Sequence, residues 1–222
     1  MISQHTFDFL TRLDQNNSTE WVNAHRDELT ETKNDVIAFT AILVEEISKF
    51  DPAIRLKPPQ AKKCVTRLNR DMRLARGRGP YKKDFYLVVG TEGIQDVAAS
   101  YCVHIEAGNC FVGGGTPNPK GVDLLNYRRK VADNFDEFTE IVTSRSFTEL
   151  FPSGIVSQSG IVKKRIPAGF DASDPAADYL KKEGFITRER LADEDLMTEK
   201  GFQKIVELLK GSMPLVTFLN EK

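Results

Sequence analysis

The chain has 222 residues, 40% apolar and 28% charged, with a formal net charge of −1. This is the composition of an ordinary soluble globular protein, long enough to bury a substantial core. The near-neutral balance excludes a general nucleic-acid coat protein. Three cysteines are too few for a disulfide scaffold, and no apolar run approaches the roughly 18 residues of a membrane span.

Phe7, Leu10 and Leu13, spaced by three, predict an N-terminal helix that Asn16-Asn17 ends. Asn17 and Glu20 have the spacing of a capping box. A second helix is expected from Ser18 to about Phe50, with Val36, Phe39, Leu43, Ile47 and Phe50 as its apolar stripe. Asp51-Pro52 and Pro58-Pro59 mark a loop. Residues 61–68, 84–90, 97–106 and 109–113 read as strands, being short, β-branched or aromatic, and bounded by glycines. Turns at Thr91-Glu92-Gly93 and Ala107-Gly108-Asn109 imply antiparallel pairing. Helix is expected again near Pro119, with Asn118 as its cap, running to about Val142. Ile161–Ile166 and Phe185–Arg190 read as strands, and Asp174-Pro175 opens a short helix to Lys182. Thr198 caps a helix to Lys210, and Pro214 starts a final turn or helix to Leu219. The expectation is one α+β domain over residues 1–222. Its central sheet is mainly antiparallel and packs with a long N-terminal helix and C-terminal helices.

Charge is unevenly spread. Between Ala61 and Lys83 stand Lys62, Lys63, Arg67, Arg70, Arg73, Arg76, Arg78, Lys82 and Lys83, with Asp71 as the single acid. That segment carries +8, and the other 199 residues sum to −9. Such a field favours a phosphate, a carboxylate or a nucleic-acid backbone. Arg67, Arg70 and Arg73 are spaced by three. On a helix they share a face; on a strand followed by a loop they fan around one point. Guanidinium forks suit bidentate recognition of phosphate or carboxylate. Asp71 orients one arginine, or serves as a base or a metal ligand. The competing reading is a solvated basic face with Asp71 in an ordinary salt bridge. In the run from Arg76 to Lys83, two glycines let the backbone approach a ligand. The same run also reads as a charged turn. Arg78 and Lys82 join the ligand-binding candidates, and Tyr81 either stacks on a ring or sits at the edge of the core.

His104-Ile105-Glu106 lies in an expected strand, where a period of two puts His104 and Glu106 on one face. The two residues suit proton transfer, or form a hydrogen-bonded pair with a structural role. No metal site is expected, because no second histidine is near. Gly113-Gly114-Gly115 reads as a strand-to-helix loop that holds an anion, or as a tight reversal. It lacks the Walker and GxGxxG patterns. Lys163-Lys164-Arg165 reads as an exposed strand edge. Cys64 and Cys102 sit in apolar runs, as reduced core thiols do in a reducing compartment. Residues 1–8 lack the pattern of a signal peptide. A cytoplasmic location is expected, with no membrane partner.

These residues resemble the bacterial domain of unknown function 2461 family. Its signature is Arg-x-x-Arg-Asp-x-Arg-Phe, two variable residues, Asp or Asn, Lys, two more, then Tyr. Arg67, Arg70, Asp71, Arg73 and Tyr81 match it, while Leu74, Gly77 and Arg78 replace the Phe, the acid or amide, and the Lys. Asn16-Asn17 with Glu20-Trp21 resembles the family's start, and the stretch from His104 to Gly115 its middle. Pro167 with Gly169-Phe170-Asp171 resembles the later third, and Pro214-Leu215-Val216 with Phe218-Leu219 the end. The resemblance implies one domain and supplies no activity.

The catalytic candidates are therefore Asp71, His104 and Glu106. The ligand-binding candidates are Arg67, Arg70, Arg73, Arg78, Tyr81 and Lys82. The expected partner is a small phosphorylated or carboxylated molecule, bound by a ligand-binding protein or an enzyme. The alternative is a module for nucleic acid or acidic protein that uses the 62–83 stripe and weakens steeply with salt. A third reading docks the stripe on the chain's own Asp193, Glu194 and Asp195.

Overall fold

Helix α1 (Gln4–Gln15) forms where the spacing of three predicts it, with Phe7, Phe9, Leu10 and Leu13 buried on one side. The coordinates are a computed structural model that describes residues 1–75, 77–95, 98–157 and 160–221. Ser18, not Asn17, caps α2 (Thr19–Ala24), its hydroxyl accepting from the Trp21 amide at 3.1 Å. The single helix expected from Ser18 to Phe50 is broken at His25, whose backbone leaves the helical region (φ −119°, ψ 33°). The His25 ring stacks on Trp21 with centroids 4.1 Å apart, and its Nδ1 lies 2.7 Å from the Trp21 carbonyl. Helix α3 (Arg26–Phe50) follows and buries Val36, Phe39, Leu43 and Ile47.

Asp51 caps a short helix, α4 (Pro52–Leu56), where a loop was expected. Helix α5 (Ala61–Cys64) replaces the start of the expected strand at 61–68. Ala61, Lys62 and Lys63 are good helix formers, and β-branched residues begin only at Val65. Strands β1 (Phe85–Val89), β2 (Ser100–Ile105) and β3 (Cys110–Thr116) come next. Residue 97, where β2 was expected to begin, lies outside the described residues.

Gly113, Gly114 and Gly115 lie inside β3, not in a loop. A Cβ at Gly113 or Gly115 would run into the carbonyl oxygen of Thr187 or Phe185, and one at Gly114 into the Ser212 hydroxyl. The glycines serve close backbone packing, and the anion loop expected there is not formed.

Helices α6 (Gly121–Asp133), α7 (Phe135–Thr143) and α8 (Arg145–Leu150) follow. Asn118 does not cap α6; its side chain accepts from Lys120 Nζ at 2.5 Å. The strand expected at Ile161–Ile166 is reduced to one bridge, Val162 to Lys182. Ile161 and Val162 stay exposed, so no buried face extends it. The rest is α9 (Ala177–Leu180), β4 (Phe185–Ile186), β5 (Glu189–Leu191), α10 (Asp193–Met197) and α11 (Glu199–Asn220). Helix α11 runs through Pro214, because Leu215, Val216, Phe218 and Leu219 are buried beyond it. The sheet order is β1-β2-β3-β4, with β5 also on β3. β3 and β4 pair antiparallel through Gly115 with Ile186 and Thr116 with Phe185. The fold is α+β with a long helix near the N-terminus. Among the described residues no helix is long and apolar enough to cross a membrane.

The chain forms two compact units, each drawn from three stretches. The first holds Met1–Gln95, Cys102–Phe111 and Arg190–Glu207. Its core joins the stripes of α1 and α3 with Phe85 and Leu87, and Phe39 meets Phe202 edge to face at 5.7 Å. The second holds Asp96–Tyr101, Val112–Glu189 and Leu208–Lys222. There Phe138 packs against Tyr179 at 4.8 Å and Phe218 at 5.6 Å. All the candidate site residues lie in the first unit.

Candidate functional site

From Val65 the chain runs antiparallel to the segment that enters β1. Thr66 N donates to the Tyr86 carbonyl at 3.0 Å, Lys82 N to Leu68 O at 2.7 Å and Arg70 N to Pro80 O at 2.8 Å. Leu68, Phe85 and Leu87 are buried and hold this ribbon to the core. Asn17 secures it from outside: its Nδ2 donates to the Tyr81 carbonyl and its Oδ1 accepts from the Tyr81 amide, both at 3.0 Å. Tyr81 is a buried core-edge residue.

The ribbon gives the three arginines different partners. Arg70 Nε donates to the Tyr81 carbonyl at 2.9 Å. Arg73, 88% exposed, forms a bidentate pair with Asp71: Nε to Oδ1 at 2.9 Å and Nη2 to Oδ2 at 2.6 Å. That pair, with the Arg73 amide also donating, holds the Asp71 carboxyl below the ordinary carboxylate range. Arg67 alone of the three lines a groove. Arg78 Nε donates to the Ala75 carbonyl at 3.1 Å, and Lys82 is half-buried. Arg76 lies outside the described residues.

The groove has a volume of about 600 Å³. Helix α3 gives it Lys33 and Ile37, one turn apart on one face. Gln60, Lys62 and Lys63 come from α5 and its start, Val65 to Asn69 from the ribbon, and Glu92, Ile94 and Gln95 from the turn after β1. Gly93 allows that turn to approach, since its φ is +63° and a Cβ there would strike the Lys63 carbonyl. Lys33, Lys62, Lys63 and Arg67 have no ion pair among the described residues, whereas Glu92 is paired with Lys57. Four cations thus line one concavity without an ion pair among the described residues. Lys33, Ile37 and Ile94 escaped the sequence reading, and Gly93 was legible there only as part of a turn, because no local pattern links α3 to the turn after β1.

His104 and Glu106 do share a face, but in a separate cluster. The His104 ring is buried between Tyr86 and Phe111, centroids 4.3 and 4.5 Å away. Its Nδ1 lies 3.0 Å from the Asn109 carbonyl. A carbonyl only accepts, so Nδ1 carries the proton. Nε2 then faces Asp84 Oδ2 at 3.5 Å and Glu106 Oε2 at 3.8 Å. Lys83 Nζ bridges Asp14 at 3.2 Å and Glu106 at 3.3 Å, and the hydrogen bond to Asp14, followed by that to Glu106, raises its pKa. A small cavity of about 140 Å³ is lined by Asp14, Lys83 and Glu106 with residues of α1. Neither His104 nor Glu106 is among the groove's described lining. Asp84 and Asp14 had no sequence signal beyond their charge.

Among the described residues no three His, Cys, Asp or Glu side chains are grouped to hold a metal ion. Asp193 accepts from the Gly108 amide at 2.9 and 3.0 Å, and Asp195 pairs with Lys204 at 2.8 Å. Neither carries an ion pair to the basic segment among the described residues.

A family model described as "Conserved hypothetical protein (DUF2461)" matches residues 5–218, nearly the whole chain. The chain belongs to that family. No curated protein and no solved structure matches it.

Proposed function

We propose that this DUF2461 member binds a small phosphorylated or carboxylated molecule in the groove bounded by α3, α5 and the Val65–Asn69 ribbon. The observation that carries this reading is the ring of Lys33, Lys62, Lys63 and Arg67, none of them ion-paired among the described residues. Like charges drawn to one concavity repel, and a bound anion relieves that repulsion. The volume lies within the roughly 300–1,000 Å³ of small-molecule sites. Of the three arginines spaced by three, Arg67 acts here. Arg70 and Arg73 shape the ribbon and its tip through Tyr81 and Asp71. The proposal includes a cytoplasmic location, supported by three cysteines outside any disulfide.

Thermal-shift titration with phosphate, pyrophosphate and citrate tests the reading. Stabilisation is expected for the wild type and should be lost in Lys63→Glu and Arg67→Glu. No stabilisation by any anion, or equal stabilisation in both variants, would overturn it. The nucleic-acid alternative predicts instead that an oligonucleotide stabilises more than any small anion. It is disfavoured because Lys83, within the proposed stripe, already bridges Asp14 and Glu106.

A further inference from the structure

We infer that the groove's ligand is an organic phosphate with two or more negative charges, whose apolar or planar body lies against Ile37, Val65 and Ile94. This rests on the anion-binding reading above and narrows it.

Charge is the first ground. Lys33, Lys62, Lys63 and Arg67 line the groove without ion pairs among the described residues, and the one acid of its described lining, Glu92, is held by Lys57. A monocarboxylate would leave most of this charge uncompensated. A phosphate monoester brings about −1.5 to −2 at neutral pH, and a diphosphate more.

The kind of cation is the second. Three of the four are lysines, compact charges with rotatable donors that take phosphate oxygens from several directions. Arg67, the one guanidinium in the described lining, adds a planar fork that takes two phosphate oxygens at once.

The third ground is the apolar part of the wall. Ile94 is 40% exposed where it lines the groove, and Ile37 and Val65 are half-buried there. A bare inorganic anion gains nothing from these side chains. An organic body removes them from water and uses a volume far larger than one phosphate needs.

Calorimetric titration of the full chain tests this with a nucleoside diphosphate, inorganic pyrophosphate, benzoate and a short single-stranded oligonucleotide. The nucleoside diphosphate should bind roughly tenfold tighter than pyrophosphate, as burial of an apolar body predicts. Ile94→Ser, a surface change, should weaken the nucleoside diphosphate roughly fivefold and leave pyrophosphate unchanged. Lys63→Glu should weaken both. Pyrophosphate binding as tightly as the nucleoside diphosphate would overturn the inference and leave the anion site standing. So would benzoate or the oligonucleotide binding more tightly than the nucleoside diphosphate. No binding of any of the four would overturn both readings. The comparison of ligands on the wild type decides the matter even if a variant fails to fold.

Discussion

Asn17 holds both backbone groups of Tyr81, donating to its carbonyl and accepting from its amide at 3.0 Å each. The two residues are 64 positions apart, so one side chain ties the end of α1 to the basic ribbon. Gly79 lies against the same Asn17 side chain, which leaves no room for a Cβ there.

Asn17→Ala therefore removes two partly buried hydrogen bonds and strands the Tyr81 amide. The expected cost is about 1–3 kcal/mol, at roughly 0.5–1.5 for each bond. Urea unfolding measures it, and amide exchange should quicken from Arg70 to Lys82 more than in α11. A loss under about 0.5 kcal/mol would show that water replaces Asn17 without penalty.

Gly93→Ala should disturb the groove directly. Its φ of +63° strains any residue with a Cβ, and that Cβ would meet the Lys63 carbonyl. A destabilisation of about 1–3 kcal/mol is expected. Anion affinity should fall with it, because the turn carrying Ile94 must withdraw from Lys63. Thermal unfolding and phosphate titration check the two effects together. Unchanged affinity in a destabilised variant would separate the turn from the binding site.

Much of the fold was legible where burial imposes a period. The stripes of α1 and α3 announce themselves because each buries one face. His104 and Glu106 share a face because a strand alternates. The failures have physical causes too. Lys62 and Lys63 were read as strand, yet helix propensity prevails until Val65. Gly113 to Gly115 looked like a loop because a sequence does not reveal that Thr187, Ser212 and Phe185 press against them. The arginine spacing was visible, but Arg70 and Arg73 find partners at Tyr81 and Asp71, while Lys33 comes to the groove from α3. Such a site is assembled by tertiary contacts and leaves no local pattern.

Asp71 and Arg73 give a pH signature. The Arg73 side chain, then its amide, lowers the Asp71 carboxyl below its unfolded value. The pair is therefore present at neutral pH and is lost as pH falls through the lowered value. NMR titration of the Asp71 carboxyl should show a depressed midpoint that rises towards the ordinary range in Arg73→Ala. Both side chains face solvent, so the unfolding midpoint at neutral pH should hardly move. An Asp71 midpoint unaffected by Arg73→Ala would mean that the bidentate pair does not persist in solution.

Cysteine chemistry offers the last test. Burial pushes the Cys64 thiol up to about 11 and that of Cys110 up to about 12. Cys102 is only half-buried. At pH 8 a thiol of pKa 11 is ionised on the order of one part in a thousand, and the thiolate is the reactive form. Brief alkylation of the native protein should therefore label Cys102 first, and Cys64 and Cys110 only after denaturant is added. Mass spectrometry of the digested protein reads the order. The same raised values predict that stability falls as pH rises. Unfolded thiols begin to ionise near their ordinary value of about 8.5 while the buried ones stay neutral, so the unfolded state holds fewer protons. The unfolding midpoint should decline from roughly pH 8.5 upward, and less steeply in Cys64→Ala measured against its own value at pH 7. Labelling of Cys64 or Cys110 as fast as Cys102 in the native protein would contradict both expectations, since it would require those thiols to be open to solvent.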